Sequence, residues 1–123
     1  MASWTHSGTL VGAAIPVLGF AADGPNGLSP TPIGYPLETI SVQLIVNVDS
    51  NDFVAAATTF TLYHDGIATA SSLVFAAGVV GVQQGTFNVA YATGSTFDLG
   101  IGNPGGAAEV GRSISFGASI VFP

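Results

Sequence analysis

Few side chains in this sequence can move a proton or hold an ion. His6 and His64 are its two imidazoles, and it has no cysteine. His64 directly precedes Asp65, but neighbouring strand residues point to opposite faces. The two therefore form no ready base–orienter dyad, and His64 reads as the polar end of a hairpin strand. No Gly-x-Ser-x-Gly elbow occurs, and no Ser, His and Asp set stands in a context that would activate a serine. Asp49-Ser50-Asn51-Asp52 is the best cluster of oxygen ligands. Calcium takes several carboxylate and carbonyl oxygens, yet an EF-hand loop needs glycine at its sixth position and glutamate at its twelfth, and this run has neither. Asp, Asn and Ser also favour turns through local backbone bonding, so a polar turn is expected here. The chain reads as non-enzymatic, with no cofactor and no bound metal.

Aromatic side chains are the other candidates for a site. Trp4 either anchors an N-terminal arm on a neighbouring subunit, since aromatics dominate interface energetics, or caps the domain's own core. Tyr35 and Tyr63 are able to stack on a sugar, and with Asp49 and Asp52 they make the candidate ligand loops of a glycan-binding protein. Phe60, Phe75, Phe87, Phe97, Phe116 and Phe122 fall at strand-face spacing and are most simply core.

Charge narrows the list of partners. The formal net charge is −6 and Arg112 is the single Lys or Arg. Nucleic acid is recognised by clustered cations that neutralise phosphates, so it is excluded as a partner, and an anionic membrane is disfavoured for the same reason. Charged residues make up 7% of the chain against about 25% in a typical domain. So little charge suits a protein that hides surface in an assembly; the plain alternative is a monomer solvated by Ser, Thr, Asn and Gly. The apolar run Leu10 to Ala22 lacks a basic flank and is interrupted by Pro16 and Gly19, so no classical signal peptide is expected. The run is also too short to span a bilayer.

These residues must be held by strands, and the closing segment is the clearest of them. From Val110 to Phe122 every second residue points the same way: Val110, Ile114, Phe116, Ala118, Ile120 and Phe122 share a face, with Arg112 the polar exception. Gly111, Ser113, Ser115, Gly117 and Ser119 form the other face, whose small residues let another surface approach closely. Alternation of this kind is a half-buried strand. Thr39 to Val48 alternates as crisply, with Ile40, Val42, Leu44, Val46 and Val48 on one side. Thr58 to His64 and Ile67 to Phe75 flank Asp65-Gly66, a strong hairpin signal. Further strands are expected at Ser7 to Ala14, Val79 to Val82, Thr86 to Tyr91 and Thr96 to Ile101. Turns are expected at Thr93-Gly94-Ser95 and Asn103-Pro104-Gly105-Gly106. Asp23 to Pro36 holds four of the seven prolines, which cannot donate to a ladder, and reads as a long loop or edge-covering arm. No segment shows a helical period. The chain therefore predicts one all-β domain over 1–123, an antiparallel β-sandwich or jelly roll of about eight strands. Within it, 1–36 is the N-terminal strand, arm and loop, and 37–123 is the core sandwich.

The second half resembles the jelly-roll domains of the C1q and tumour-necrosis-factor type, in particular the C-terminal domains of collagen-like spore-surface and exosporium glycoproteins. The likeness rests on Thr61-Leu62-Tyr63-His64-Asp65-Gly66-Ile67, on Phe97-Asp98-Leu99-Gly100-Ile101, and on the closing Ser113-Ile114-Ser115-Phe116-Gly117-Ala118-Ser119-Ile120. Ile15-Pro16-Val17-Leu18-Gly19-Phe20-Ala21 is also similar to a segment of small exosporium proteins. No collagen-like Gly-X-Y stalk is present. The resemblance implies a non-catalytic homotrimer on a spore or virion surface. Trp4, Arg112, Phe116 and Phe122 are the expected assembly residues. A filament in which the Trp4 arm docks on the next subunit is one variant, and a lectin-like or phage-fibre head binding a glycan is the alternative.

Overall fold

A computed structural model describes residues 3–12, 17–20, 38–64, 67–91 and 97–121. Among them are eight strands: β1 (Ser3–Val11), β2 (Val17–Phe20), β3 (Glu38–Asn51), β4 (Thr58–His64), β5 (Ile67–Phe75), β6 (Gly81–Tyr91), β7 (Phe97–Asn103) and β8 (Ser113–Val121). The pairs β1–β8, β2–β7, β3–β6 and β4–β5 are antiparallel, and each encloses the next along the chain. Additional β3–β8 and β4–β7 pairing closes two four-stranded sheets, ordered β1-β8-β3-β6 and β2-β7-β4-β5. Nested pairs divided in this way between two facing sheets make a jelly roll.

The alternation of each strand places its apolar half between the sheets. Val42, Leu44, Val46 and Val48 of β3 and Ile114, Phe116, Ala118 and Ile120 of β8 are buried. Across the core they face Phe60 and Leu62 of β4 and Phe97, Leu99 and Ile101 of β7. Phe60 meets Phe75 and Phe116 edge-on, with ring centroids 5.6 and 5.2 Å apart, the geometry in which ring quadrupoles attract. The outer face of the β1-β8-β3-β6 sheet carries short polar pairs instead: Thr9 with Ser115, Ser41 with Asn88 and Gln43 with Gln84.

Several boundaries differ from expectation. β1 begins at Ser3, and Trp4 pairs with Ile120, so this segment is an edge strand of the chain's own sheet and not an arm. β2 lies between the strand expected at Ser7 to Ala14 and the loop expected from Asp23, where no strand was expected. Asp49 to Asn51 is no turn: β3 continues to Asn51 through a bulge between Val48 and Ser50. β6 is one strand and not two, because Gln83 and Gln84 break the apolar alternation without breaking the ladder. The Gln83 amide donates to the Val74 carbonyl oxygen at 2.8 Å, and Gln84 bonds Gln43. β8 starts at Ser113, not Val110. A 3₁₀ turn at Gly106–Glu109 precedes it, Val110 is exposed, and Gly111 takes φ 78°, which ends any strand continuity there. The period of two across Val110 and Arg112 is coincidental. The Asp23–Pro36 loop with Tyr35, the Asp65-Gly66 and Thr93-Gly94-Ser95 turns, and Phe122 lie outside the described residues.

Candidate functional site

Odd-numbered strands finish, and even-numbered strands begin, at one end of the sandwich, here called the apex. Among the described residues, the connections there run Asp52 to Ala57, Ala76 to Val80 and Pro104 to Arg112, and Gly12 after β1 lies against Glu109. Backbone in such connections must find hydrogen-bond partners, and three polar side chains supply many of them. Asn51 donates to the carbonyl oxygens of Ala76 and Val79, at 3.2 and 3.0 Å, and its Oδ1 accepts from the Phe53 N–H at 3.1 Å. The buried Asn103 donates to the Ala56 carbonyl oxygen and Thr58 Oγ1, at 3.1 and 3.2 Å, and accepts from the Gly105 N–H at 2.8 Å. Glu109, 2% exposed, accepts from the Val54 and Ala55 N–H groups at 2.9 and 3.1 Å, and Asn103 reaches its other oxygen at 3.4 Å. Burial alone would raise the Glu109 carboxyl. The N–H groups of Val54, Ala55 and Ala56 and the Asn103 amide outweigh that effect and hold its pKa below the ordinary 4.5, because they stabilise the anion.

With the backbone braced from inside, apolar side chains are left facing water. Val54, Val79, Val80 and Val110 are exposed at the tip, and Val11, Val74 and Val82 at its rim; Val54 is 60% and Val82 64% exposed. Ile67, at the opposite end, or base, is exposed as well. Exposed apolar residues scattered singly are ordinary, whereas a cluster marks an interaction surface. Arg112 stands at the apex too, its guanidinium 3.4 Å from the carbonyl oxygen of Asp52. The Asp52 N–H in turn donates to the Ser113 carbonyl oxygen at 2.9 Å.

The residues expected to form sites are dispersed. Arg112, Asp52 and Asp49 are exposed at the apex, Asp49 accepting from the Asn47 amide at 3.2 Å. Tyr63 lies toward the base with its ring over Gly100, where a Cβ would collide with it. The Asp49–Asp52 pair and Tyr63 thus do not share a loop. His64 stacks on Phe97 at the base, with centroids 4.9 Å apart. Trp4 has its backbone at the base end of β1. Phe116 is 3% exposed and belongs to the interior, so it is not an outward assembly residue. Among the described residues no group of three or more His, Asp or Glu side chains is placed to hold a metal ion.

A shallow depression of about 490 Å³ crosses the outer face of the β1-β8-β3-β6 sheet, lined by Thr5, Ser7, Ile45, Asn47, Gly117 and Ser119. None of these is charged, and none is a ring on which a sugar would stack. Sequence reasoning missed the apex as a surface. Its signal was present as valines in segments without alternation, Val54 and Val79-Val80, and as Glu109, a lone acid in an Ala- and Gly-rich loop. Fold and surface together define an eight-stranded jelly roll with a braced, apolar apex. No protein-family model matches this sequence, and no curated protein does.

Proposed function

We propose that this chain is a non-catalytic structural protein that self-associates through its jelly roll, as a subunit of an extracellular spore or virion surface. The observation that carries the reading is the gathering of exposed valines at one braced end of a charge-poor molecule. The uncharged, mostly small residues that line the depression on the outer sheet face support it further, since small residues allow a second surface to approach. The C1q-like resemblance puts the copy number at three. Light scattering on the intact chain tests this reading: a mass several times the 12.2 kDa chain is expected, and a clean monomer would overturn it. A second reading, a glycan-binding head, is favoured by the depression over Gly117 with its hydroxyl and amide lining. Binding on a glycan array that Asn47→Ala removes would move that reading to first place.

A further inference from the structure

We propose that the connection from Val54 to Ala57 is an acid-released strap, held down by the Glu109 carboxylate and freed when that group takes up a proton. The device belongs to a single copy of the chain and does not depend on self-association.

The strap runs between two fixed points. Phe53 and Thr58 are each 1% exposed, whereas Val54 and Ala55 between them face solvent. The stretch lies between β3 and β4, outside either ladder. Its Val54 and Ala55 N–H groups donate to Glu109 Oε1, at 2.9 and 3.1 Å. The Ala56 carbonyl oxygen accepts separately from the Asn103 amide at 3.1 Å. Successive N–H groups converging in this way make an anion site, and here the anion is part of the chain.

Such a cradle suits the carboxylate and not the acid. A protonated carboxyl must place an O–H, and the groups bonded to Glu109 among the described residues are all donors. Asn103 could accept only by turning its amide. That turn would give up the Gly105 N–H on its oxygen and the Ala56 carbonyl on its nitrogen. Gly12 and Gly105 pack so closely on Glu109 that a Cβ on either would collide with it. The carboxyl therefore cannot swing out past them, and the exposed strap is the side that yields. Parts of a native structure with few buried contacts open below the global unfolding free energy, and this short connection is one of them.

The remaining charged groups stand apart from the cradle. Asp52 begins the strap's connection and is exposed, and Arg112, on the same connection as Glu109, reaches the Asp52 carbonyl oxygen. Asp49 of β3 accepts from Asn47. Glu38, His64 and Asp98 lie at the base ends of β3, β4 and β7, and His6 of β1 pairs with Ala118. The groups that hold the Glu109 anion are backbone N–H groups and one amide, and none of them titrates. Its folded pKa lies below 4.5, so the strap is closed above pH 4.5 and opens as pH falls through the folded value.

Amide hydrogen exchange of the intact chain tests this, followed by NMR from neutral pH into acid and corrected for the intrinsic rate at each pH. Protection of the Val54 and Ala55 amides is expected to fall below pH 4.5, by up to about tenfold per pH unit, and then to level off. The β3 and β8 amides are expected to keep theirs. So is the Val79 amide, bonded to Ala76 in a turn that Asn51 holds. Glu109→Gln is expected to leave Val54 and Ala55 weakly protected already at neutral pH, with no acid step. Asp52→Asn is expected to keep the step. Protection at Val54 and Ala55 that is lost only together with β3 and β8 would overturn the strap and leave Glu109 as a global brace. Protection that does not change in acid, or an acid step that survives in E109Q or vanishes in D52N, would overturn the proposal as well. If E109Q does not fold, the wild-type and D52N series decide between these outcomes.

Discussion

A carboxylate taken out of water is costly unless its charge is hydrogen-bonded, and Glu109 meets that condition with backbone N–H groups. Glu109→Gln replaces one acceptor oxygen with a donor facing the Asn103 amide, and should lower stability by about 2–4 kcal/mol, read as a shift in the denaturant midpoint. Its pH dependence has a definite sign. The folded pKa lies below the ordinary 4.5, so the stabilisation is fully present above pH 4.5 and is lost as pH falls through the folded value. Wild-type protein should therefore lose stability on acidification more steeply than E109Q, and equal acid limbs would contradict the role assigned to Glu109. In the core, Phe60 bridges the sheets by its edge contact with Phe116 and meets Phe75 edge-on within its own sheet. Phe60→Ala should cost about 3–5 kcal/mol; a loss under 1 kcal/mol would mean that the site collapses around the change.

At the scale of elements, β1 is an edge strand whose residues from Ser3 to Val11 pair with β8. Deleting residues 1–8 therefore removes most of an edge and uncovers the β8 ladder. A markedly lower melting temperature is expected. A truncated chain that melts with the full chain would show that β1 is dispensable and restore the docking-arm view. Strands with strict alternation, β3, β4 and β8, were readable because one face is apolar and the other small or polar. β6 was obscured by Gln83 and Gln84, whose amides serve the ladder's surroundings while breaking the hydropathy pattern. β2 was hidden by its brevity and by Pro16 and Gly19 within its apolar run. The Asp49–Asp52 run had turn chemistry, but a bulge absorbed it into β3. The apex was invisible because it is assembled from connections distant in sequence. Only the nested pairing of the strands brings Val54, Val80 and Val110 to one end, and periodicity within a segment cannot report that.

For the whole molecule, low charge and a braced apolar end point the same way. Burying exposed valines against a second copy removes apolar surface from water, worth roughly 25 cal/mol per Å² before the costs of association. An assembled form should also resist protease and melt well above the isolated domain, since binding that favours the native state raises apparent stability with concentration. A melting temperature independent of protein concentration would contradict that expectation. The most direct measurement is sedimentation equilibrium of the intact wild-type chain over a wide concentration range. A concentration-dependent mass rising to a defined multiple of 12.2 kDa is predicted; a single species at 12.2 kDa at every concentration would contradict the account.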